Sequence, residues 1–368
     1  MKKLLFIFVS IIFIIPISVN AISTTASSAI LMDMDSGRIL YKKDVHNPRL
    51  VASITKIMTA VLAIENGNLD DEVTVGEEVL TMYGSNIYIE LGEKMTLRDL
   101  LYGLLLRSGN DAAIVIGTYI GGSEEKFVEM MNKKAKEIGM INTTYHNCHG
   151  LDEVTKNYST AYDMAVLSSY ANTLDVYREI SKTKKWVTNT NNKSYVWHNR
   201  NKLLTQYEYA TGGKTGYTPK AGRTLVTTAS KDNLNLTAVT LYDPNEYVSH
   251  KEMYEYGFNK LMASIATYIR GECDPIYPDV VDKANDFYNE YTNLIDEYDN
   301  LVLSPDNQKN MTNNSIELAK RFKIFVESII NKLLNKELYF TTPPITKDNA
   351  LTDINYFIYN LEENKQEN

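Results

Sequence analysis

The chain has 368 residues, 44% apolar and 23% charged, with 38 Lys plus Arg against 46 Asp plus Glu and a formal net charge of -8. This is the composition of an ordinary folded protein of roughly two domains. Its acidic balance excludes a nucleic-acid partner, which requires clustered Lys and Arg to displace backbone counterions. With five histidines and two cysteines, a multi-ligand metal site is not expected, nor any other cofactor. His146 and His149 form an H-x-x-H without a third ligand nearby and are read as solvated or structural.

Lys2 and Lys3 precede an apolar run from Leu4 to Val19 that Pro16 interrupts, and Ala21 supplies the small residue at which a secretory signal peptide is cut. An uncleaved anchor is the alternative, since the run falls just short of a full span. On either reading the remainder of the chain is extracytoplasmic. Export permits a disulfide between Cys148 and Cys273, although a buried small hydrophobe is the commoner state of a free cysteine.

From Ala29 an alternating stretch, the turn Asp35-Ser36-Gly37 and a second stretch from Arg38 to Tyr41 spell a hairpin. Helical spacing follows at Ile54, Ile57, Met58, Val61, Leu62 and Ile64 until Gly67, which places Ser53 at a helix N-terminus. Thr96-x-x-Asp99 resembles a capping box ahead of a helix over Leu97 to Leu106. Two further helices are expected over Asn110 to Ile120 and Ser123 to Glu137. Strand signals return after about Tyr195, and Thr224 to Ala229 with Leu234 to Leu241 form a second hairpin; His250 to Met262 reads as a closing helix. Strands at both ends enclosing helices predict an α/β fold of the α+β type, one antiparallel sheet with helices on its faces.

Beyond Gly271 the character changes. Residues 272–368 carry 18 acidic and 9 basic side chains, and two long amphipathic runs, from Val280 to Leu301 and from Ala319 to Leu334, flank a linker rich in Asn, Asp and Pro. This helical region either packs upon itself or presents Ile316 to Leu338, with its excess of Lys and Arg, to a membrane surface or a partner protein. The expected organisation is a signal peptide over 1–21, a folded domain over 22–271 and the helical region over 272–368.

Ser53-Ile54-Thr55-Lys56 is an S-x-x-K, in which an amine one turn away reaches a hydroxyl and accepts its proton as the oxygen attacks a carbonyl. The pattern alone is weak, because Ser181-Lys182-Thr183-Lys184 also fits it. Two later elements favour Ser53. Ser108-Gly109-Asn110 offers a hydroxyl and an amide from a loop between helices. Lys214-Thr215-Gly216 falls where strand resumes, and Gly212, Gly213 and Gly216 strip away bulk so that a substrate backbone can approach. Lys214 supplies charge for an anionic group. Ser181 lacks both elements and is read as a surface serine.

S-x-x-K, S-x-N and K-T-G in this order resemble the motif set of the serine penicillin-recognising enzymes, which general motif rules record for class A β-lactamases and penicillin-binding proteins. The blocks Val51 to Thr59, Leu106 to Ala112, His149-Gly150-Leu151-Asp152, Tyr158 to Asp163 and Gly213 to Thr218 with Ala221-Gly222 are similar to those of the D-alanyl-D-alanine carboxypeptidases. The resemblance runs from about Ala29 to Leu261 and implies a β-lactamase/transpeptidase-like fold.

It also implies residue roles. Ser53 would be the acylated nucleophile and Lys56 its base, with Ser108 and Lys214 carrying a proton to the leaving amine. Asn110 would orient Lys56 and the substrate amide. Lys214, Thr215 and Gly216 would receive the terminal carboxylate and backbone of D-Ala-D-Ala, and the N–H groups of Ser53 and Tyr217 would form an oxyanion hole. Repulsion from Lys214 is expected to lower the pKa of Lys56. The implied partners are peptidoglycan stem peptides at the cell wall or the outer face of the cytoplasmic membrane, and β-lactam antibiotics as covalent inhibitors.

The chain departs from many relatives in carrying Cys148 where Pro precedes His-Gly-Leu, Ser249-His250-Lys251 where an Arg is common, and a helical tail in place of a β-rich domain. The competing enzyme is a serine β-lactamase, against which stands the absence of a Glu-x-x-Leu-Asn between Asn110 and Lys214. A non-catalytic wall-binding protein on the same fold is the reading from a different class.

Overall fold

The computed structural model describes residues 22–231 and 234–269, with side chains to residue 259. The expected signal segment over 1–21, Cys273 and the expected helical region over 272–368 lie outside the described residues. The chain divides into two compact units; one comprises Asn20–Lys231 with Asn235–Gly257, and of the other only Leu234 and residues 258–269 are described.

In chain order the elements are β1 (Ser28–Asp33), β2 (Ile39–Lys43), β3 (Arg49–Leu50), α1 (Lys56–Asn66), β4 (Glu72–Thr74), β5 (Lys94–Thr96) and α2 (Leu97–Tyr102). Then follow α3 (Asn110–Gly121), α4 (Glu124–Glu137), β6 (Tyr158–Ser159), α5 (Ala161–Ala171), α6 (Asp175–Lys182), β7 (Lys185–Asn189), β8 (Ser194–His198) and α7 (Leu203–Gln206). The chain returns to strand with β9 (Ala210–Thr218), β10 (Gly222–Lys231) and β11 (Leu234–Leu241), and α8 (Glu246–Ile269) closes it.

Five strands make one sheet in the order β2-β1-β11-β10-β9. β1 pairs antiparallel with β11 from Ser28 opposite Leu241 to Asp33 opposite Leu236, so the two ends of the domain close the sheet as expected. The first hairpin turns at Gly37, whose φ of 71° suits a residue without Cβ. Asp33 organises that turn by accepting the Asp35 N–H and the Ser36 hydroxyl.

All six residues of β1 are buried because both sheet faces are covered. Ile30 and Met32 join the large core, where Thr237 of β11 donates to Ser168 of α5. Leu31 points the other way, against Gly257 of α8, where a Cβ would lie 2.4 Å from Leu31 and 2.9 Å from Leu236. The closing helix begins at Glu246, four residues before the expected start.

The central helix α1 departs from a simple amphipathic pattern. Every residue from Lys56 to Ala63 is buried, including Thr59. Ala60 and Ala63 are small and fully buried, like Ile57 and Val61, so the first two turns of the helix are enclosed on all sides. Each Leu or Ile fully buried in this way contributes roughly 1.5–3 kcal/mol.

The Thr96 hydroxyl accepts the Asp99 N–H at 3.1 Å and donates to the Asp99 carboxylate at 2.6 Å, a local cap that starts α2 as anticipated. The single helix expected through Leu106 does not continue. Gly103–Arg107 widen into a π-helical turn that ends at Ser108, whose φ of 65° is left-handed. Such turns and positive φ at a non-glycine residue carry strain that packing must sustain.

Candidate active site

Ser53 lies in a 3₁₀ turn, Ala52–Thr55, that runs directly into α1 at Lys56. Residues three apart eclipse in a 3₁₀ turn, which stacks the Lys56 ammonium over the Ser53 hydroxyl at 3.0 Å. The turn is entered through Ala52 at φ 50°. Gly150 packs against it so tightly that a Cβ there would lie 2.0 Å from the Ala52 carbonyl oxygen, so backbone from the His-Gly-Leu block braces the turn.

Lys56 is fully buried. Besides Ser53, its Nζ donates to Asn110 Oδ1 at 2.7 Å and to the His149 carbonyl. These two partners only accept, so a neutral amine places its two hydrogens on them and turns its lone pair toward Ser53 Oγ. Burial is the leading cause that brings the Lys56 pKa down to about 7, with Arg200 adding to it and Asp111 opposing it. The expected cause, repulsion from Lys214, is thus replaced by desolvation. The repulsion appears instead at Lys214, held well below the ordinary lysine range by burial and then by the charges of Lys56 and Arg200.

The second motif arrives from the π turn. Asn110 accepts Lys56 through its oxygen and donates its amide to the Tyr83 carbonyl at 2.6 Å, which fixes its orientation. Asp111 beside it accepts the backbone N–H groups of Ile87, Tyr88 and Ile89, tying that loop to the start of α3. Ser108 Oγ accepts from buried Lys214 at 2.9 Å, and Lys214 also donates to the Thr215 carbonyl at 2.7 Å. Two hydroxyl–amine pairs, Ser53–Lys56 and Ser108–Lys214, therefore stand near enough for the Lys56 charge to act on Lys214.

The third motif lies on β9, which pairs on one side with β10 and is the edge strand of the sheet. Gly216 faces the turn of Ser53, where a Cβ would stand 3.0 Å from the Ser53 nitrogen. Thr215 is half-buried and the Tyr217 side chain is exposed, with the Arg223 guanidinium 5.9 Å from its ring centre. Asp152 accepts the Thr218 hydroxyl at 2.5 Å and pins the far end of the strand. The eight residues singled out in sequence, Ser53, Lys56, Ser108, Asn110, Lys214, Thr215, Gly216 and Tyr217, thus come from three separate stretches, joined by the contacts of Lys56 with Ser53 and Asn110, of Lys214 with Ser108 and of Gly216 with the Ser53 turn.

Several neighbours were not anticipated. The His149 carbonyl and Gly150 belong to a block legible only as a flanking similarity, and Arg200 had no sequence signal; its guanidinium donates to Ser85 at 2.8 Å. Ser181 is corrected. It is buried, not on the surface, with its Oγ 2.5 Å from where a Gly212 Cβ would sit. The helix period puts Ser181 on the inner face of α6 with Tyr177 and Ile180, and only a small side chain fits against β9 there.

His146 is exposed, whereas His149 is buried with Nδ1 accepting the Leu151 N–H and its pKa lowered to about 3 by burial. Cys148 is a buried free thiol whose pKa burial raises. No group of three potential metal ligands occurs among the described residues.

A five-stranded sheet with helices on both faces and a buried lysine against a serine at the head of its central helix is the architecture of the penicillin-recognising serine enzymes. A family model for D-alanyl-D-alanine carboxypeptidase matches residues 16–245, and the chain belongs to that family. It is 40% identical over 223 residues to the D-alanyl-D-alanine carboxypeptidase DacF of Bacillus subtilis, covering 58% of this chain and 56% of that one. It is 36% identical over 251 residues to DacC of Escherichia coli, covering 64% and 61%. The matches thus span less than two thirds of these relatives. A mutant of a Streptomyces DD-transpeptidase superposes with a TM-score of 0.62 at 30% identity, covering 65% of this chain and 99% of that one.

Proposed function

We propose that this chain is an exported serine-type D-Ala-D-Ala carboxypeptidase that removes the terminal D-alanine of peptidoglycan stem peptides. The observation that carries the reading is the buried Lys56 amine, held by two acceptors with its third position on Ser53 Oγ.

In this reading the stem peptide lies along the open edge of β9, with its terminal carboxylate at Lys214 and Thr215. Ser53 Oγ attacks the carbonyl carbon of the penultimate D-alanine as its proton passes to neutral Lys56. The developing oxyanion is received by the N–H groups of Ser53 and Tyr217, and the bare Cα of Gly216 leaves room for it. The proton returns to the departing amine through Ser108 and Lys214, D-alanine leaves, and water hydrolyses the Ser53 ester with Lys56 again as base. β-Lactams acylate the same oxygen. The catalytic domain is assigned to 22–271 after a signal segment over 1–21, with residues 272–368 as a helical region that packs on itself or contacts a membrane surface or protein.

The test is mass spectrometry of the protein after brief exposure to benzylpenicillin, with Ser53→Ala as control and D-alanine release from a D-Ala-D-Ala peptide followed in parallel. A durable adduct on Ser53 with D-alanine release supports the carboxypeptidase. An adduct that turns over quickly without D-alanine release points to a β-lactamase, and no adduct on folded protein points to a binding module.

A further inference from the structure

The Lys56 amine is held at its inner end by a backbone carbonyl that belongs to none of the three motifs, that of His149. Around this carbonyl, the Cys148–His149 segment is fastened on two sides. Toward α1, the Cys148 carbonyl accepts the Thr59 hydroxyl at 2.6 Å and the His149 carbonyl accepts Lys56, so two successive carbonyls grip one face of the helix. Toward α4, a single carboxylate oxygen, Glu124 Oε1, accepts the Cys148 N–H at 3.2 Å and the Cys148 thiol at 3.3 Å, and stands 3.6 Å from His149 Nε2. Asn147 Oδ1 supports the segment through the N–H groups of His149 and Gly150, but Glu124 is the charged group behind it.

Resting on the carboxypeptidase reading above, we propose that Glu124 is a positioning residue for the acylation step. It fixes the Cys148–His149 peptide, and through it the acceptor that aims the Lys56 lone pair at Ser53. Glu124 is suited to this because it opens α4 beside the Ser123 cap, where the free N–H groups of the first turn favour a carboxylate. Burial holds the His149 ring neutral down to about pH 3, so its 3.6 Å approach to Glu124 is not an ion pair, and the hold of Glu124 on the segment runs through Cys148. The Cys148 thiol remains protonated under burial and has Ala113 O at 3.3 Å as its alternative acceptor. Without Glu124 the buried Cys148 N–H has no acceptor, and the segment must move to find one.

The groups that face Lys56 are Ser53 on its own turn, Asn110 and Asp111 from α3, Cys148 and His149 from the loop, Arg200 after β8, and Lys214 from β9. Of these only Cys148 and His149 touch Glu124, so a shift in the titration of Lys56 on changing Glu124 would report the movement of the Cys148–His149 segment.

The experiment measures the benzylpenicillin acylation rate constant of the full chain against pH for the wild type, Glu124→Ala, Glu124→Gln and the exposed neighbour Glu125→Ala. Glu124→Ala is expected to lower the rate roughly ten- to a hundredfold, the scale of small misplacements in a reacting pair. Its acid limb should move to lower pH, because the ammonium form loses an acceptor. Glu124→Gln should recover most of the rate, since its Oε1 still accepts the Cys148 N–H, and Glu125→Ala should match the wild type. Should Glu124→Ala fail to fold, Glu124→Asp withdraws the acceptor by one methylene and is read in the same way. Wild-type rate and limb in folded Glu124→Ala or Glu124→Asp would overturn the proposal, as would Glu124→Gln as impaired as Glu124→Ala. A wild-type protein that forms no Ser53 adduct overturns the carboxypeptidase reading itself, and this one with it.

Discussion

Gly216 and Ser53 are so close that a Cβ on the glycine would lie 3.0 Å from the Ser53 nitrogen, and 2.3 Å from Thr224 Oγ1 behind it. The strand and the turn therefore meet backbone to backbone, with Thr224 donating to the Val51 carbonyl at 3.0 Å to hold them together. Gly216→Ala forces a methyl between the strand and the Ser53 turn, beside the Ser53 N–H proposed to receive the oxyanion. Its benzylpenicillin acylation rate is expected to fall about a hundredfold, the scale of losing one oxyanion donor. Thermal melting, read alongside, should show a loss of only about 1–3 kcal/mol from overpacking. Acylation at the wild-type rate would show that the oxyanion sits elsewhere.

In the proposed mechanism Lys56 acts as the free amine, and its pKa of about 7 fixes the sign of the pH dependence. The acylation rate should rise with pH through about 7 and then level. Lys56→Arg, whose guanidinium stays protonated, should reduce the rate at least a thousandfold, as for loss of a member of a catalytic pair. A flat profile between about pH 5 and 9 would remove Lys56 from the role of base.

Away from the cleft, His250 is buried between Thr227 Oγ1, at 2.6 Å from Nδ1, and Thr240 Oγ1, at 3.1 Å from Nε2. Burial lowers its pKa from 6.5 to about 3. A depressed folded-state pKa means that the unfolded chain binds the proton first, so stability is fully present above about pH 6.5 and is lost as pH falls toward 3. Urea unfolding should show about 2 kcal/mol less stability from this residue at pH 5 than at pH 7. His250→Gln should flatten that dependence; an unchanged slope would show that other groups set it.

Every residue of the site precedes the closing helix, whereas residues 272–368 form a compositionally distinct acidic segment. Removing residues 272–368 should leave the benzylpenicillin acylation rate within about twofold of the full chain, in keeping with independent domains. A truncated protein that folds but no longer acylates would mean that the segment supports the site.

The three motifs, both hairpins and the Thr96 cap were legible in the sequence because each depends on neighbours within a few residues. A glycine turn, a hydroxyl three residues before a carboxylate and an amine one turn after a serine are all local geometry. The same locality explains the two Ser-x-x-Lys matches. Ser53 and Ser181 are alike in spacing, and only burial of Ser181 against Gly212 shows that the second serves packing.

By itself, then, the sequence determined the class of fold, the two hairpins at its ends, and the candidate pair Ser53 and Lys56. Tertiary structure alone decided what surrounds that pair. Asn110 reaches Lys56 across 54 residues, the His149 carbonyl across 93, and Lys214 reaches Ser108 across 106. Those contacts follow from how the sheet closes and how α1 is enclosed, not from any spacing along the chain. The poise of Lys56 follows from them too, because desolvation depends on every atom packed around a charge and not on the residue beside it in sequence.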